Sequence, residues 1–160
     1  MDNPIAVGLG ECVVSKANGD ILVAYGLGSC VAVSMLDPEK KICGLLHAVL
    51  PEEIKGVETR TKFVNSGIEE LLHSMEKAGA KKEKIVVRIA GGANMITAPG
   101  FSSSFDIGTR NVASAHATLN KMSLPLKSES VGGHVGRTVR FYVETGQVTV
   151  RMIGGVEANL

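Results

Sequence analysis

The chain has 160 residues, 44% hydrophobic and 21% charged, with a formal net charge of +1, which is the balance of an ordinary globular chain able to bury one core. Near-neutrality gives no broad field for nucleic acid or an anionic membrane, and 4% aromatics without tryptophan leave no stacking platform for single strands. No apolar run approaches the ~18 residues of a membrane span and the N-terminus lacks a basic-then-apolar signal, so a cytoplasmic chain without direct membrane insertion is expected. Cys12, Cys30 and Cys43 show no Cys-x-x-Cys spacing, which fits neither a disulfide framework nor a zinc site and suits a reducing compartment.

Glu11 to Lys16 alternates weakly, as a strand does. Asn18-Gly19 is a hairpin signal, and Ile21 to Tyr25 reads as the strand that follows. Two more strands, Val31 to Leu36 and Ile42 to Leu50, flank Asp37-Pro38-Glu39-Lys40, a turn with proline at the position its fixed φ favours. With the turn centred between Pro38 and Glu39, Asp37 faces Lys40, Ser34 faces Cys43 and Cys30 faces His47. Pro51 stops the second strand, and Glu52 to Thr61 is a polar loop.

From Lys62 the period changes. Val64, Ile68, Leu71, Leu72 and Met75 form the stripe of an amphipathic helix, with Gly79 placed to cap it. The β-branched content of Ile85 to Ala90 predicts a buried strand, followed by a glycine- and serine-rich loop from Gly91 to Gly108. A second helix carries Val112, Ala115, His116, Leu119 and Met122 on one face and is closed off by Pro125. Thr138 to Glu144 and Gln147 to Ile153 make a last hairpin around Thr145-Gly146. Two main helices among about seven strands predict an α+β fold, a layered α/β sandwich of mixed, largely antiparallel sheets. No repeat or linker interrupts it, so one domain over residues 1–160 is expected.

The chemistry concentrates at Cys30 and His47. Directly opposed residues on antiparallel strands hold their Cβ atoms roughly 4.5–5.5 Å apart, and a thiol and an imidazole so placed form a nucleophile–base pair. A one-residue slip would put them on opposite faces. An isolated cysteine at a strand start most often packs as a small hydrophobe, and an isolated histidine on an apolar strand most often bonds a carbonyl. The glycines shift that balance: Gly26 and Gly28 permit a tight turn and leave N–H groups around Gly28 and Ser29 unshielded. Such donors suit an oxyanion or a phosphate nest, but no lysine or helix start follows to favour a nucleotide. The loop Ala90-Gly91-Gly92-Ala93-Asn94-Met95 either lines a pocket, with Gly91, Gly92 and Asn94 as candidate substrate contacts, or is a plain turn. Cys12, Cys43, His73 and His116 read as structural. His134, in a glycine-rich loop, either reaches a site or is exposed, and Lys81 to Lys84 is a solvated turn.

Taken together, Gly26-Leu27-Gly28-Ser29-Cys30-Val31, His47 before Leu50-Pro51, Ile89-Ala90-Gly91-Gly92-Ala93, Ile107-Gly108-Thr109-Arg110-Asn111, and Gly132-Gly133 with Gly136-Arg137 resemble the chemoreceptor glutamine deamidase (CheD) family. The motifs come in family order over about residues 8 to 153. The resemblance implies a cysteine-hydrolase-like architecture shared with deamidating bacterial toxins. It implies a protein-glutamine glutaminase that converts receptor glutamines to glutamate with release of ammonia, through a Cys–His thioester mechanism that needs no metal or organic cofactor. A chemotaxis receptor is the implied protein substrate and a CheC-type phosphatase the implied partner. Carried over, Cys30 matches the nucleophile and His47 the base. The family's threonine six residues before the cysteine falls on Ala24, and Ser130 stands where an acidic residue is expected. Either a backbone carbonyl or another polar side chain orients the imidazole, or the chain is a slow enzyme. The alternative reading is a regulatory partner of a CheC-type phosphatase with weak or no deamidase activity; a small-molecule amidase is the third.

Overall fold

The computed structural model describes residues 2–95 and 106–160. It has three layers: two helices, a central sheet, and a second sheet. The central sheet orders its strands β2 (Glu11–Ser15), β5 (Ile42–Ala48), β4 (Val31–Asp37), β6 (Val86–Gly91) and β7 (Leu126–Val131). The second orders β1 (Asn3–Ala6), β3 (Asp20–Leu27), β8 (Arg137–Tyr142), β9 (Gln147–Met152) and β10 (Glu157–Asn159). Pairing is antiparallel except for β1 with β3 and β6 with β7. This is the expected α+β layered fold with mixed, largely antiparallel sheets. Among the described residues no helix is long and apolar enough to cross a membrane.

β4 and β5 read as nearly unbroken apolar runs because both of their faces are covered. Val31, Val33, Met35, Leu46 and Ala48 point to α1 (Val64–Lys77) and α2 (Ile107–Lys121). Ala32, Cys43 and Leu45 point to the second sheet, against Leu22, Ala24, Leu27, Val139 and Phe141. The helix expected from Lys62 is α1, and its buried residues include Val64, Ile68, Leu71, Leu72 and Met75.

Several expectations are corrected. Asn18-Gly19 does not join a hairpin: β2 pairs with β5, while β3 lies in the other sheet between β1 and β8. The turn diverts the chain from one layer to the next, with the Ser15 hydroxyl donating to Asp20 Oδ2 at 2.6 Å. The strands among the described residues number ten, three more than expected, because β1, β7 and β10 carry little apolar periodicity. His116 is exposed, its Nε2 2.7 Å from Glu129. The buried face of α2 runs instead through Gly108, Asn111, Ser114, Ala115, Thr118 and Leu119. Residues 96–105 of the loop expected from Gly91 to Gly108 lie outside the described residues.

The β4–β5 register also differs. Ala32 pairs with His47, Ser34 with Leu45 and Leu36 with Cys43, so Cys30 is not directly opposite His47, nor Ser34 opposite Cys43. The loop is longer than a centred turn. Asp37 Oδ1 accepts the N–H groups of Glu39 and Lys40 at 3.1 and 3.2 Å, and Lys41 sits at φ 53°. The displacement is even, which leaves the facing of every side chain unchanged.

Candidate active site

The β4–β5 ladder ends at Val31 and Ala48. Beyond it the chain preceding β4 bends away through Gly26 at φ 60°, a backbone conformation glycine adopts without penalty. Cys30 therefore lies at the open end of the hairpin, half-buried and packed against the layer between the sheets. It shares a face with Ala32 and hence with His47. Cys30 stands two residues before Ala32, the partner of His47, one residue beyond the end of the ladder, and the sulfur makes no hydrogen bond to His47 Nε2.

Three carbonyls of the cysteine turn are tied from behind. Gly28 O accepts Ala93 N at 2.9 Å, Cys30 O accepts Gly92 N at 2.8 Å, and Ser29 O accepts Asn111 Nδ2 at 2.8 Å. Gly91 is obligatory: its φ is 110°, and a β-carbon there would lie 2.2 Å from the Cys30 carbonyl oxygen. The N–H groups of Gly28, Ser29 and Cys30 reach no acceptor on another residue among the described residues. The Cys30 N–H lies instead against its own sulfur, an interaction that lowers the thiol pKa but does not outweigh burial, which raises it. Burial thus favours the neutral thiol.

His47 is 3% exposed. Its Nδ1 lies 2.9 Å from the carbonyl oxygen of Val7, an atom that can only accept, so Nδ1 carries a proton. Nε2 is buried and has no hydrogen-bond partner among the described residues. Val7 is held in turn by its own N–H on Val23 O at 2.8 Å, next to Ala24. A main-chain carbonyl therefore orients the imidazole where the chain lacks the expected threonine.

Gly91 and Gly92 are buried against the cysteine turn. Asn94 is half-buried, its Oδ1 accepting from Thr109 Oγ1 at 3.0 Å and its carbonyl oxygen 2.8 Å from His134 Nδ1. Ser130 Oγ accepts from Arg137 Nε at 3.2 Å. Arg137 is itself buried, and desolvation pulls its guanidinium pKa down.

Residues 49–152 match the family model described as CheD chemotactic sensory transduction. The chain is 39% identical over 152 residues to a probable chemoreceptor glutamine deamidase CheD of Caldanaerobacter subterraneus subsp. tengcongensis, covering 94% of this chain and 93% of that one. It is 37% identical over 151 residues to the chemoreceptor glutamine deamidase CheD of Thermotoga maritima, with the same coverage. The chain belongs to the CheD family.

Two contributors to this CheD site escaped the sequence reading. Val7 acts through a backbone oxygen, for which a sequence carries no signal. Asn111 was legible only as part of a motif; the further clue was a polar residue four and eight positions before Ala115 and Leu119, on the buried stripe of α2.

Proposed function

We propose that this CheD chain is a cytoplasmic protein-glutamine deamidase acting on chemotaxis receptors, with Cys30 as nucleophile and His47 as general base. The observation that carries the reading is the buried Nε2 of His47, which has no hydrogen-bond partner among the described residues while Nδ1 is held on Val7 O. The Cys30 sulfur packs on the layer that also holds Val7 and does not hydrogen-bond Nε2 at rest. Burial raises the thiol pKa, which favours a thiol that gives up its proton as it attacks. Sulfur bonds to the glutamine side-chain carbonyl carbon as its proton passes to Nε2. The resulting oxyanion is met by the N–H groups of Gly28 and Ser29, which reach no acceptor among the described residues. The protonated imidazole then gives its proton to the amide nitrogen as the C–N bond breaks, and ammonia leaves. Water adds to the thioester carbonyl, losing a proton to Nε2; sulfur departs, regains that proton, and glutamate remains.

Gly91 and Gly92 serve this reaction through the shape of the cysteine turn. Asn94, beside it, is the candidate that reaches substrate. A CheC-type phosphatase is the proposed regulatory partner, docking on the same face. Ammonia release from a receptor fragment is the test. Cys30→Ala should lower the rate by at least ~10³-fold. Equal rates would remove the enzyme reading and leave the regulatory binding role.

A further inference from the structure

We infer that Asn111 is a positioning residue that sets the separation of Cys30 and His47; the inference rests on the deamidase reading above. The β4–β5 ladder stops at Val31 and Ala48. One step further, where the two strands part, Asn111 Nδ2 enters the gap and donates to Ser29 O at 2.8 Å and to Val49 O at 3.0 Å. One nitrogen thereby bridges the residue before the cysteine and the residue two past the histidine. It replaces a ladder hydrogen bond that the departing glycine turn cannot make.

The amide orientation is fixed by chemistry: facing two carbonyl oxygens, only the NH2 end can donate. Asn111 is 0% exposed, and its Oδ1 is buried without a partner among the described residues. An unpaired buried acceptor is destabilising, so a side chain whose task was to fill space would be apolar, as Ala115 and Leu119 are on the same helix face. The helix bearing Asn111 is itself pinned on both sides. A β-carbon at Gly108 would lie 2.3 Å from Ala93 O, so α2 starts flush against the loop behind Cys30. One turn on, Ser114 Oγ donates to Pro51 O at 2.6 Å. The backbone of Asn111 is thus held against both parts that it joins.

The test needs no turnover. Alkylation of Cys30 by iodoacetamide is followed at peptide level by mass spectrometry, in the unchanged chain, in His47→Ala, in Asn111→Ala and in the double variant. Loss of His47 should slow alkylation of the otherwise unchanged chain about tenfold, and by less than ~2-fold once Asn111 is gone, because the coupling is already lost. On a receptor fragment, kcat of Asn111→Ala should fall ~10²-fold with KM within ~3-fold. Asn111→Leu, of similar shape but with no donor, should behave alike and serves if the alanine variant does not fold. Two effects that multiply, or a loss confined to KM, would overturn the inference. A His47→Ala chain alkylated at the unchanged rate would instead overturn the dyad reading, which is a separate outcome.

Discussion

One hairpin carries two cysteines. Cys43 sits near its closed end and Cys30 at its open end, and both turn toward the layer between the sheets. Cys43 is fully enclosed, and burial pushes its thiol up to about 12. Burial pushes Cys30 up as well, but its own N–H opposes the effect, and the residue keeps partial access to solvent. Within a ladder the main-chain N–H groups are spent on the neighbouring strand, and a sulfur there is only a small hydrophobe. Where the ladder lets go, the N–H groups of Gly28 and Ser29 reach no acceptor among the described residues, and that of Cys30 lies against its own sulfur. The difference between the two cysteines is made by strand geometry, not by the side chain.

Substitution should make that contrast largest. Cys30→Ala removes at least ~10³-fold of the deamidation rate, whereas Cys43→Ala leaves kcat within ~3-fold and costs about 1–2 kcal/mol of stability, read by urea unfolding. If the Cys43 variant lost activity to the same extent, the contrast would vanish. His47→Ala should cost ~10²–10⁴-fold in kcat. Gly91→Ala tests the turn itself: with φ at 110° and a β-carbon 2.2 Å from the Cys30 carbonyl oxygen, it should destabilise the chain by about 1–3 kcal/mol. It should also lower kcat by ~10²-fold in the folded fraction.

How far the sequence foretold this end of the hairpin depended on parity. The strands and their turn were legible from Asp37-Pro38 and the flanking apolar runs. The register was not, because it depends on the Asp37 side chain capturing two N–H groups and on Lys41 entering a left-handed conformation. The displacement was even, so Cys30 and His47 stayed on one face; an odd one would have separated them. The helix α1 was legible because its stripe is purely apolar, whereas α2 hides Asn111, Ser114 and Thr118 on its buried face. The assignment of β2 and β3 to different sheets was not legible at all. A turn signal fixes a change of direction, not which neighbour a strand will pair with.

A smaller effect concerns pH. The Cys43 thiol lies at about 12 in the folded chain against an ordinary 9.0. A group raised on folding holds its full contribution below the ordinary value and loses it as pH climbs toward the folded one. The contribution of Cys43 to stability against urea should therefore be constant up to pH ~9 and decline above it, so the alkaline decline should be shallower in Cys43→Ala. Native-state alkylation at pH ~8 should modify Cys30 well before Cys43. Equal rates would mean that the closed end of the hairpin opens as readily as the other.

The smallest expected effect is the most discriminating about His47. The family's threonine falls on Ala24, which is fully buried beside the Val7 segment. If a threonine hydroxyl were needed to orient the imidazole, Ala24→Thr would raise kcat substantially. The Val7 carbonyl already takes the Nδ1 proton at 2.9 Å, so a second acceptor adds little orientation to a ring that is already held. The added methyl and hydroxyl also enter a filled layer, at a cost of about 1–3 kcal/mol in stability. The expected result is a kcat gain below ~3-fold with a lower melting temperature. A gain of tenfold or more would show that the carbonyl holds the ring too loosely, and that the open end of the hairpin lacks a part it can use.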